Sequence, residues 1–383
     1  MKITGIICEY NPLHKGHKKQ LDIVRRTDPD GGIVCLMSGN FVQRGAPAII
    51  DKMHRAKAAV LCGADLVLEL PITAALSSAE GFAAGGVDIL SGFCDQLCFG
   101  AENADADALM SLAEVLLTDH FREALRTELD KGLSFPAARQ AALEIMGMPA
   151  NILSTPNNIL AVEYCKAILQ NGRSMAPMPI FRDGDYHAQE ADPENPSATS
   201  IRAKMSGGEP WEALIPGVAA ACFQNATLHS IPNAERAILY RLRTMSDERF
   251  EALPYGSEGL WRKLMHAARK ESTLDAIIDA TKSKRYTRTR IDRMILCAFL
   301  GITEMMINAP APYARVLAFN DRGREILKLA RTTGSFPNIG ENVDHPYQVL
   351  EDRCGSLYGL FANTTPDSPT LESNYRVYYH TDA

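Results

Sequence analysis

Two histidines near the start of the chain have the spacing and the position to handle phosphate. His14 and His17 follow a short apolar run, Lys2–Cys8, and an Asn-Pro turn. Side chains three residues apart share one face of a helix, and the free N–H groups of a helix start attract anions. Two imidazoles there can donate to phosphoryl oxygens and stabilise the charge that develops as the α-phosphate of a nucleotide is attacked. Gly16, between them, lets a phosphate approach the backbone.

The alternative is that two surface histidines flank a glycine by chance, since an HxxH pair alone arises in many chains. A dinucleotide site would show GxGxxG at this place and a P-loop would show GxxxxGK[ST], and the sequence has neither pattern. The pair follows the first apolar run and a turn, and it opens a helix. This context favours a nucleotide site.

Polar segments after other apolar runs could complete such a site. Ser38–Gly45 (SGNFVQRG) comes straight after the second run, and its Asn40, Gln43 and Arg44 could hold an acyl or phosphate group. The alternative is a polar loop with two turn glycines. Gly100 ends the fourth run, where a glycine permits close approach of an adenine or ribose but also suits a plain turn.

Three later features could present polar groups to the same ligand. Asn157 and Asn158 open a helix after a proline, and Arg182 ends a strand-like run. Ser200 lies at the start of a further helix and Arg202 one turn in, where hydroxyls, backbone N–H groups and a guanidinium can cradle a second anion. Each feature also has a plain interpretation as a helix cap or a solvated charge.

A basic run in the second half of an acidic chain indicates contact with a polyanion. Between Ser283 and Arg293, five basic residues stand against one acid, with a tyrosine among them. Such a local basic face suits phosphodiester contacts, although many runs of this kind are only solvated helix faces. The candidate RNA contacts are Lys284, Arg285, Arg288, Arg290 and Arg293.

The elements that must position these residues alternate in the first third of the chain. Short apolar runs are separated by segments of helical spacing, which predicts βαβ units around a parallel sheet covered on both faces. The apolar runs span residues 2–8, 32–37, 64–70 and 96–100, and the helical segments span residues 16–26, 51–62 and 79–90. A further run, 175–181, contains prolines and therefore fits at most an edge strand. Ligands of such sheets bind beyond the carboxyl ends of the strands, and the candidate residues follow those ends.

Beyond about residue 208 the strand-like runs largely disappear. Helical spacing predicts helices over 233–246, 257–270, 274–281, 288–300 and 313–331. We therefore expect an α/β domain with the nucleotide site at 1–210 and a mostly α-helical domain, which carries the RNA contacts, at 211–383.

Composition excludes several classes of protein. The chain has 383 residues with 40 Lys and Arg against 46 Asp and Glu, a net charge of −6 that argues against coating nucleic acid through bulk charge. No apolar stretch reaches the ~20 residues of a membrane helix, and the N-terminus has no signal-peptide pattern, so we expect a cytoplasmic protein without membrane contact. The nine cysteines are typical of reduced thiols, and the close pair Cys94 and Cys98 lacks the partners of a zinc site.

Several of these segments together resemble a known family. Gly5–His17 (GIICEYNPLHKGH) is similar to the nucleotide site of the nucleotidylyltransferase superfamily, which carries an [HT]xGH motif after its first strand. The segments EYNPLHKGH, SGNFVQRG, LVLELP, FGAEN, PNNILAVEY, YH (Tyr186 and His187), SATSIR and SKRYTRTRI, in this order, resemble the bacterial tRNA(Met) cytidine acetate ligase family over about residues 1–300. The resemblance implies a Rossmann-like parallel-sheet nucleotidyltransferase domain followed by a mostly α-helical C-terminal domain.

The same resemblance implies a ligase that works in two steps. Acetate attacks the α-phosphate of ATP to give acetyl-adenylate and pyrophosphate, and the N4 amine of the wobble cytidine of elongator tRNA(Met) then takes the acetyl group as AMP leaves. ATP with Mg²⁺ and acetate are the expected small molecules. His14 and His17 are the implied catalytic residues, which stabilise the pentavalent transition state. The implied ATP contacts are Ile7, Cys8, Glu9, Tyr10, Asn11, Pro12, Leu13, His14, Lys15, Gly16, His17, Lys18, Lys19, Gln20, Gly100, Asn157, Asn158, Arg182, Ser200 and Arg202.

Some parts of the site and some alternatives stay open at this point. Asn40 stands where His would fit equally well, no residue is evident as a general base for the cytidine amine, and no dedicated metal cage is apparent. A small-molecule adenylyltransferase would share the histidine motif but needs no basic helical region. An RNA-binding protein with a relic nucleotide pocket would tolerate loss of both histidines. A relative of the class I aminoacyl-tRNA synthetases would show a KMSKS-like segment, which the chain lacks.

Overall fold

The computed structural model describes residues 1–182, 196–283, 285–310, 313–332, 339–340, 345–366 and 372–381. Within these ranges, no helix is both long and apolar enough to cross a membrane. The strands are β1 (Ile3–Cys8), β2 (Gly32–Ser38), β3 (Phe41–Val42), β4 (Ala46–Pro47), β5 (Leu66–Leu70), β6 (Gln96–Ala101), β7 (Ala176–Phe181), β8 (Ala314–Phe319), β9 (Ile339–Gly340) and β10 (Tyr378–Tyr379).

Helices surround the strands and build most of the second half of the chain. Those of the first half are α1 (Lys15–Thr27), α2 (Lys52–Leu61), α3 (Ile72–Ala75), α4 (Ala79–Leu90), α5 (Ala106–Leu117), α6 (Asp119–Asp130), α7 (Phe135–Ile145), α8 (Pro156–Asn171) and α9 (Ala198–Gly207). Those of the second half are α10 (Gly217–Phe223), α11 (Ile231–Thr244), α12 (Asp247–Glu251), α13 (Leu260–Lys270), α14 (Leu274–Thr281), α15 (Arg288–Leu300), α16 (Glu304–Asn308), α17 (Asp321–Thr332) and α18 (Tyr347–Tyr358). Short 3₁₀ turns lie at Ala150–Ser154, Glu212–Leu214, Gly359–Phe361 and Glu372–Asn374.

The central sheet has the strand order β10-β8-β5-β2-β1-β6-β7, with β9 beside β8. Strands β5, β2, β1, β6 and β7 run parallel, and β8 is antiparallel to β5. The chain steps from β1 to β2 and β5 in one direction and then crosses to β6 and β7 on the other side. The strand order therefore reverses at β1, and ligands of open α/β sheets bind at the carboxyl ends of strands that flank such a reversal.

The side chains of strand β2 show that this sheet is covered on both faces. Its Val34 and Leu36 belong to a core that includes residues of α4, α5 and α8. Its Cys35 and Met37 belong to a second core that includes residues of α1 and α2. Because alternate side chains of a strand point to opposite faces, a continuous apolar run fits only a sheet that is buried on both sides.

The helices of the second half form a third core that is joined to the sheet. Phe41 of β3 and Leu76 belong to the same buried cluster as Leu264 of α13 and Phe299 of α15. The Tyr358 hydroxyl at the end of α18 donates to the Ala48 carbonyl at 2.8 Å. The helical region thus packs directly against the loops at the carboxyl edge of the sheet.

The prediction of one helix over residues 313–331 is wrong in its first part. Residues Ala314–Phe319 form β8, which pairs with β5, and the helix begins only at Asp321. The apolar run of β8 is buried in the sheet, and this long-range pairing overrides the helical spacing. The sheet therefore contains residues from both sides of the expected domain boundary at residue 210. The other strands expected in the first third are confirmed, and β7 is an edge strand as predicted.

Candidate active site

The loop between β1 and α1 places the two histidines face to face. His14 is the N-cap of α1, and its Nδ1 accepts a hydrogen bond from the Gly16 N–H at 3.1 Å. The Nδ1 of His17 accepts from the His14 N–H at 3.3 Å. The two rings stack with their centroids 3.8 Å apart. Because both Nδ1 atoms accept, the proton of each neutral ring lies on Nε2.

Burial keeps these imidazoles neutral. It lowers the pKa of His14 to about 3, with further lowering by the positive charges of Arg182 and Arg202. Burial, His14 and Arg182 likewise hold the pKa of His17 well below its usual range. The His14 side chain is 1% exposed, and its Nε2 has no hydrogen-bond partner among the described residues. A buried donor without a partner costs about 1–3 kcal/mol, and a phosphate oxygen would satisfy it.

The loop that carries the histidines is held by hydrogen bonds from two other parts of the chain. Its Tyr10 has a left-handed φ of 45°, and the Asn11–Pro12 bond is cis. The Asn11 Oδ1 accepts from the Ile49 N–H at 2.8 Å, and the Asn11 carbonyl accepts from Arg202 Nη1 at 2.8 Å. A non-glycine residue in the left-handed region persists only where its surroundings determine it, and here they do.

Arg55 of α2 is a positioning residue that sequence reasoning missed. Its side chain is fully buried and donates to the carbonyls of Glu9 at 2.6 Å and Ser38 at 3.1 Å, and also to that of Gly39. It therefore ties together the loops that follow β1 and β2. The signal available in the sequence is an arginine three and four residues before Ala58 and Ala59, on the buried face of the helix.

A carboxylate organises the polar residues that follow β6. Glu102 accepts hydrogen bonds from Thr155 Oγ1 at 2.7 Å, Asn157 Nδ2 at 2.7 Å and the Asn158 N–H at 2.9 Å. Burial alone would raise the pKa of Glu102, but these hydrogen bonds lower it. Sequence reasoning quoted Glu102 only as part of the FGAEN segment, so its role in fixing the start of α8 was missed.

The arginines expected at the site come from two further elements. Arg182 follows β7, and its side chain lies beside Gly100, where an added Cβ would stand 3.5 Å from the Arg182 Cδ. Arg202 lies in the second turn of α9, a helix capped by the Ser197 Oγ, which accepts from the Ser200 N–H at 3.0 Å. Both guanidinium groups act electrostatically on His14. The residues 183–195 between them, which include the expected Tyr-His pair, lie outside the described residues.

These elements surround a cavity of about 840 Å³ at the carboxyl edge of the sheet. Its volume is near the upper end of the roughly 300–1,000 Å³ that small-molecule sites span. Part of the cavity wall is aromatic and was not predicted from the sequence; it is formed by Phe82, Phe99 and Tyr164. The predicted residues that line the cavity are Ile7, Cys8, Glu9, Tyr10, Asn11, His14, Gly16, His17, Lys19, Gln20, Gln43, Arg44, Gly100, Asn157, Arg182, Arg202 and Arg288.

Other residues predicted to contact ATP do not line the cavity but pack or hydrogen-bond within the elements that form it. Leu13 lies in the core, Asn158 accepts from the Asn103 N–H at 2.9 Å, and Ser200 is bonded to Ser197. Lys18 forms an ion pair with Asp22 one turn along α1. The described cavity lining does not include the predicted residues Pro12, Leu13, Lys15, Lys18, Asn40, Asn158, Ser200, Arg285, Arg290 and Arg293.

Asn40, which was expected in an acyl pocket, lies outside the described cavity lining. Its side chain is buried, its Oδ1 accepts from the Lys52 N–H at 2.9 Å, and its Nδ2 donates to the Tyr375 hydroxyl at 3.3 Å. Both ends of the amide are thus used in packing. Gln43 and Arg44, from the same segment, do line the cavity.

The basic run divides into exposed and buried members. Arg285 is exposed and pairs with Glu258 at 2.7 Å, and Arg290 donates to the Tyr255 carbonyl at 2.9 Å. Arg293 is 9% exposed, and its Nη1 lies 3.4 Å from the Gln43 carbonyl. Arg293 is buried because that side of α15 packs against the β3–β4 turn, and its RNA contact stays a prediction. Lys284 lies outside the described residues.

The parallel sheet, the strand reversal at β1 and the neutral histidine pair define a nucleotidyltransferase of the HxGH type. The model of the HIGH Nucleotidyl Transferase family matches residues 1–367. A tRNA(Met) cytidine acetate ligase of Clostridium acetobutylicum is 36% identical over 373 residues, covering 91% of this chain and 92% of the relative. One from Clostridium tetani is 38% identical over 96% of this chain and 98% of its own length. The chain therefore belongs to the tRNA(Met) cytidine acetate ligase family.

Solved structures agree with the fold. A crystal structure of apo Thermotoga maritima TmcAL superimposes with a TM-score of 0.90 at 29% identity, covering all of both chains. A crystal structure of Thermotoga maritima TmcAL bound with alpha-thio ATP superimposes with a TM-score of 0.88 at 29% identity, covering 99% of this chain and 100% of the other. The predicted family and fold class are confirmed.

Proposed function

We propose that this chain uses ATP to activate acetate and transfers the acetyl group to N4 of the wobble cytidine of elongator tRNA(Met). The names of its curated relatives supply the tRNA, the cytidine and the acetate. The observation that carries the chemistry is the buried His14 Nε2–H, which lines the cavity and lacks a partner among the described residues. A neutral donor held in place in a buried site stabilises charge that develops on phosphate without reorganising.

In the first step, an acetate oxygen attacks the α-phosphate of ATP and pyrophosphate leaves. His14 and His17 donate from Nε2 to the phosphoryl oxygens, and Arg182 and Arg202 balance the charge of the phosphates. Gly100 and Asn157 contact the nucleoside, while Gln43 and Arg44 hold acetate beside it. These roles rest on the position of each residue in the cavity lining.

Magnesium is expected to accompany ATP. Across the described ranges, three or more His, Cys, Asp or Glu side chains are nowhere grouped to hold a metal ion. The nucleotide phosphates would therefore supply most of the ligands for such an ion. Mg²⁺ commonly binds in this way, through substrate phosphates and few protein groups.

The tRNA is proposed to approach from the helical side, within residues 211–383. Arg285 and Arg288 are exposed there, and Arg288 also lines the cavity. An exposed arginine beside the cavity mouth suits the phosphodiester backbone that flanks the target nucleotide. A reaction that uses ATP and tRNA places the proposed activity in the cytoplasm.

The test is isotope exchange between pyrophosphate and ATP in the absence of tRNA. Exchange that requires acetate is the expected result, because formation of acetyl-adenylate is reversible. Exchange without any acid would instead indicate a different adenylyl acceptor, as in a small-molecule adenylyltransferase. If neither exchange nor tRNA acetylation occurs with acetate, ATP and tRNA together, the proposal is wrong.

A further inference from the structure

Helices α11, α14 and α15 form a second wall of the cavity that the first reaction step does not use. This wall is mostly apolar, and its polar groups are Glu235 of α11 and a cluster on α14 and the first turns of α15. The residues that matter for the argument are Ile238, Ile278 and Ile295, with Asp275, Arg288 and Asp292. An apolar surface bordered by carboxylates suits a nucleobase, whose ring packs on the apolar part and whose exocyclic amine meets an acceptor.

Asp292 lies beside the part of the sheet edge that bears the phosphate-binding loop. Gly45, with φ +79°, packs so closely that a Cβ there would stand 2.5 Å from the Asp292 carbonyl carbon and 2.4 Å from the Arg293 nitrogen. In the same turn, the Gln43 N–H donates to Glu9 Oε1 at 2.8 Å. Glu9 belongs to the loop that carries His14. Only the β3–β4 turn therefore lies between Asp292 and that loop.

The surroundings of Asp292 leave its carboxylate available. Its ion pair with Arg288 is long, at 3.7 Å, whereas Arg288 is 2.9 Å from Asp275. Burial raises the pKa of Asp292 to about 6, although Arg288 and Arg293 oppose that rise. A carboxylate that titrates near neutral pH is an effective proton acceptor at that pH.

We propose that Asp292 accepts the proton that the cytidine amine releases when it attacks acetyl-adenylate, an inference that rests on the proposed function. The N4 lone pair forms a bond to the acetyl carbon, and the bond from that carbon to the phosphate oxygen breaks. Its electron pair leaves with AMP. One N4 proton moves to the Asp292 carboxylate and is later lost to solvent, so atoms and charge balance.

The test measures both half-reactions of the Asp292→Asn variant. Acetate-dependent exchange between pyrophosphate and ATP reports the first step, and single-turnover transfer to elongator tRNA(Met) from acetyl-adenylate formed in place reports the second. We expect transfer to fall by about 10²–10⁴-fold relative to exchange, the usual contribution of a positioned base. The matched control is Asp279→Asn, which changes an exposed acid of α14 outside the cavity lining.

The pH dependence of transfer distinguishes proton acceptance from a structural role. The wild type should lose transfer as the pH falls below about 6, because protonated Asp292 cannot accept, and Asp292→Asn should lack this limb. Asp292→Glu keeps a carboxylate and should restore the limb even if the Asn variant folds poorly. The charged groups of neighbouring elements that could also shape the profile are Glu235, Asp275, Arg288, Arg293 and Arg44.

The outcomes separate this inference from the proposed function. Wild-type transfer in Asp292→Asn, or an unchanged acid limb, would overturn the role of Asp292 while leaving the ligase activity intact. Equal losses of exchange and transfer in both Asp292 variants would also overturn it, since they would indicate general disruption of the site. Absence of both exchange and tRNA acetylation in the wild type, with acetate, ATP and tRNA together, would remove the proposed function itself.

Discussion

Two groups of buried and half-buried polar side chains lie at the same edge of the sheet, and they differ in how their hydrogen-bonding groups are satisfied. In the histidine corner (His14, His17, Arg182 and Arg202), the His14 Nε2 lacks a partner among the described residues. In the lysine cluster (Lys52, Glu69, Arg315, Glu351 and Glu372), cations and carboxylates pair with one another. Lys52 Nζ is 2.7 Å from Glu69 Oε2, and Arg315 Nη2 is 2.8 Å from Glu351 Oε2.

This difference indicates that one group stabilises the fold and the other takes part in the chemistry. The lysine cluster joins α2, β5 and β8 to α18 and the segment that contains Glu372, so its charges hold distant parts of the chain together. Its carboxylates raise the pKa of Lys52 even though burial opposes this. The histidine corner instead keeps the His14 Nε2 donor neutral and without a partner among the described residues, which is costly unless a ligand completes it. We therefore assign stability to the first group and phosphate chemistry to the second.

The largest expected effect comes from breaking the lysine cluster. Lys52→Met removes the cation but leaves Glu69 and Glu372 buried, and loss of one partner of a buried pair costs about 3–5 kcal/mol. Urea unfolding should show this loss. The control Lys18→Met removes a partly exposed pair with Asp22, which is worth less than about 1 kcal/mol. Equal stability of the two variants would show that the cluster does not hold the fold.

The next effect tests the histidine corner through catalysis. His17→Ala removes one donor to phosphate and should slow acetate-dependent exchange by about 10²–10³-fold, with little change in unfolding. His120→Ala, on the exposed face of α6, is the control and should leave exchange unchanged. Near-normal exchange in His17→Ala would remove His17 from the chemistry.

A smaller effect should appear in the pH dependence of stability. The pKa of His14 is about 3 in the folded chain and near 6.5 when unfolded, so the unfolded state binds the proton first as the pH falls. Stability contributed by neutral His14 is complete above pH 6.5 and is lost progressively towards pH 3, at about 1.4 kcal/mol per pH unit.

His14→Asn isolates that contribution, because Asn keeps an acceptor for the cap of α1 but does not titrate. Between pH 6.5 and 5, the wild type should lose about 2 kcal/mol more stability than this variant. Urea midpoints measured across that interval give the difference. Parallel curves for the two proteins would mean that His14 is not held neutral by the fold.

Sequence reasoning located the histidine corner because its signal is local. His14, Gly16 and His17 lie within one turn of helix, directly after a strand, so their geometry follows from spacing alone. The lysine cluster joins Lys52 to Glu372, which are 320 residues apart, and β8 is formed by pairing with β5. Such contacts depend on tertiary packing, and local spacing does not reveal them. Asp292 was hidden for the same reason, since the cavity wall that it lines is assembled from α11, α14 and α15.

The smallest expected effect concerns the exposed arginines, which resemble neither group. Arg285→Ala should weaken tRNA binding modestly and reduce the slope of log affinity against log salt by about 1, the effect of one lost phosphate contact. Binding titrations over a range of salt concentrations measure the slope. Arg126→Ala, an exposed change on α6, should leave it unaltered. If both variants keep the wild-type slope, the ion pair of Arg285 with Glu258 is purely structural, and the tRNA must approach another face.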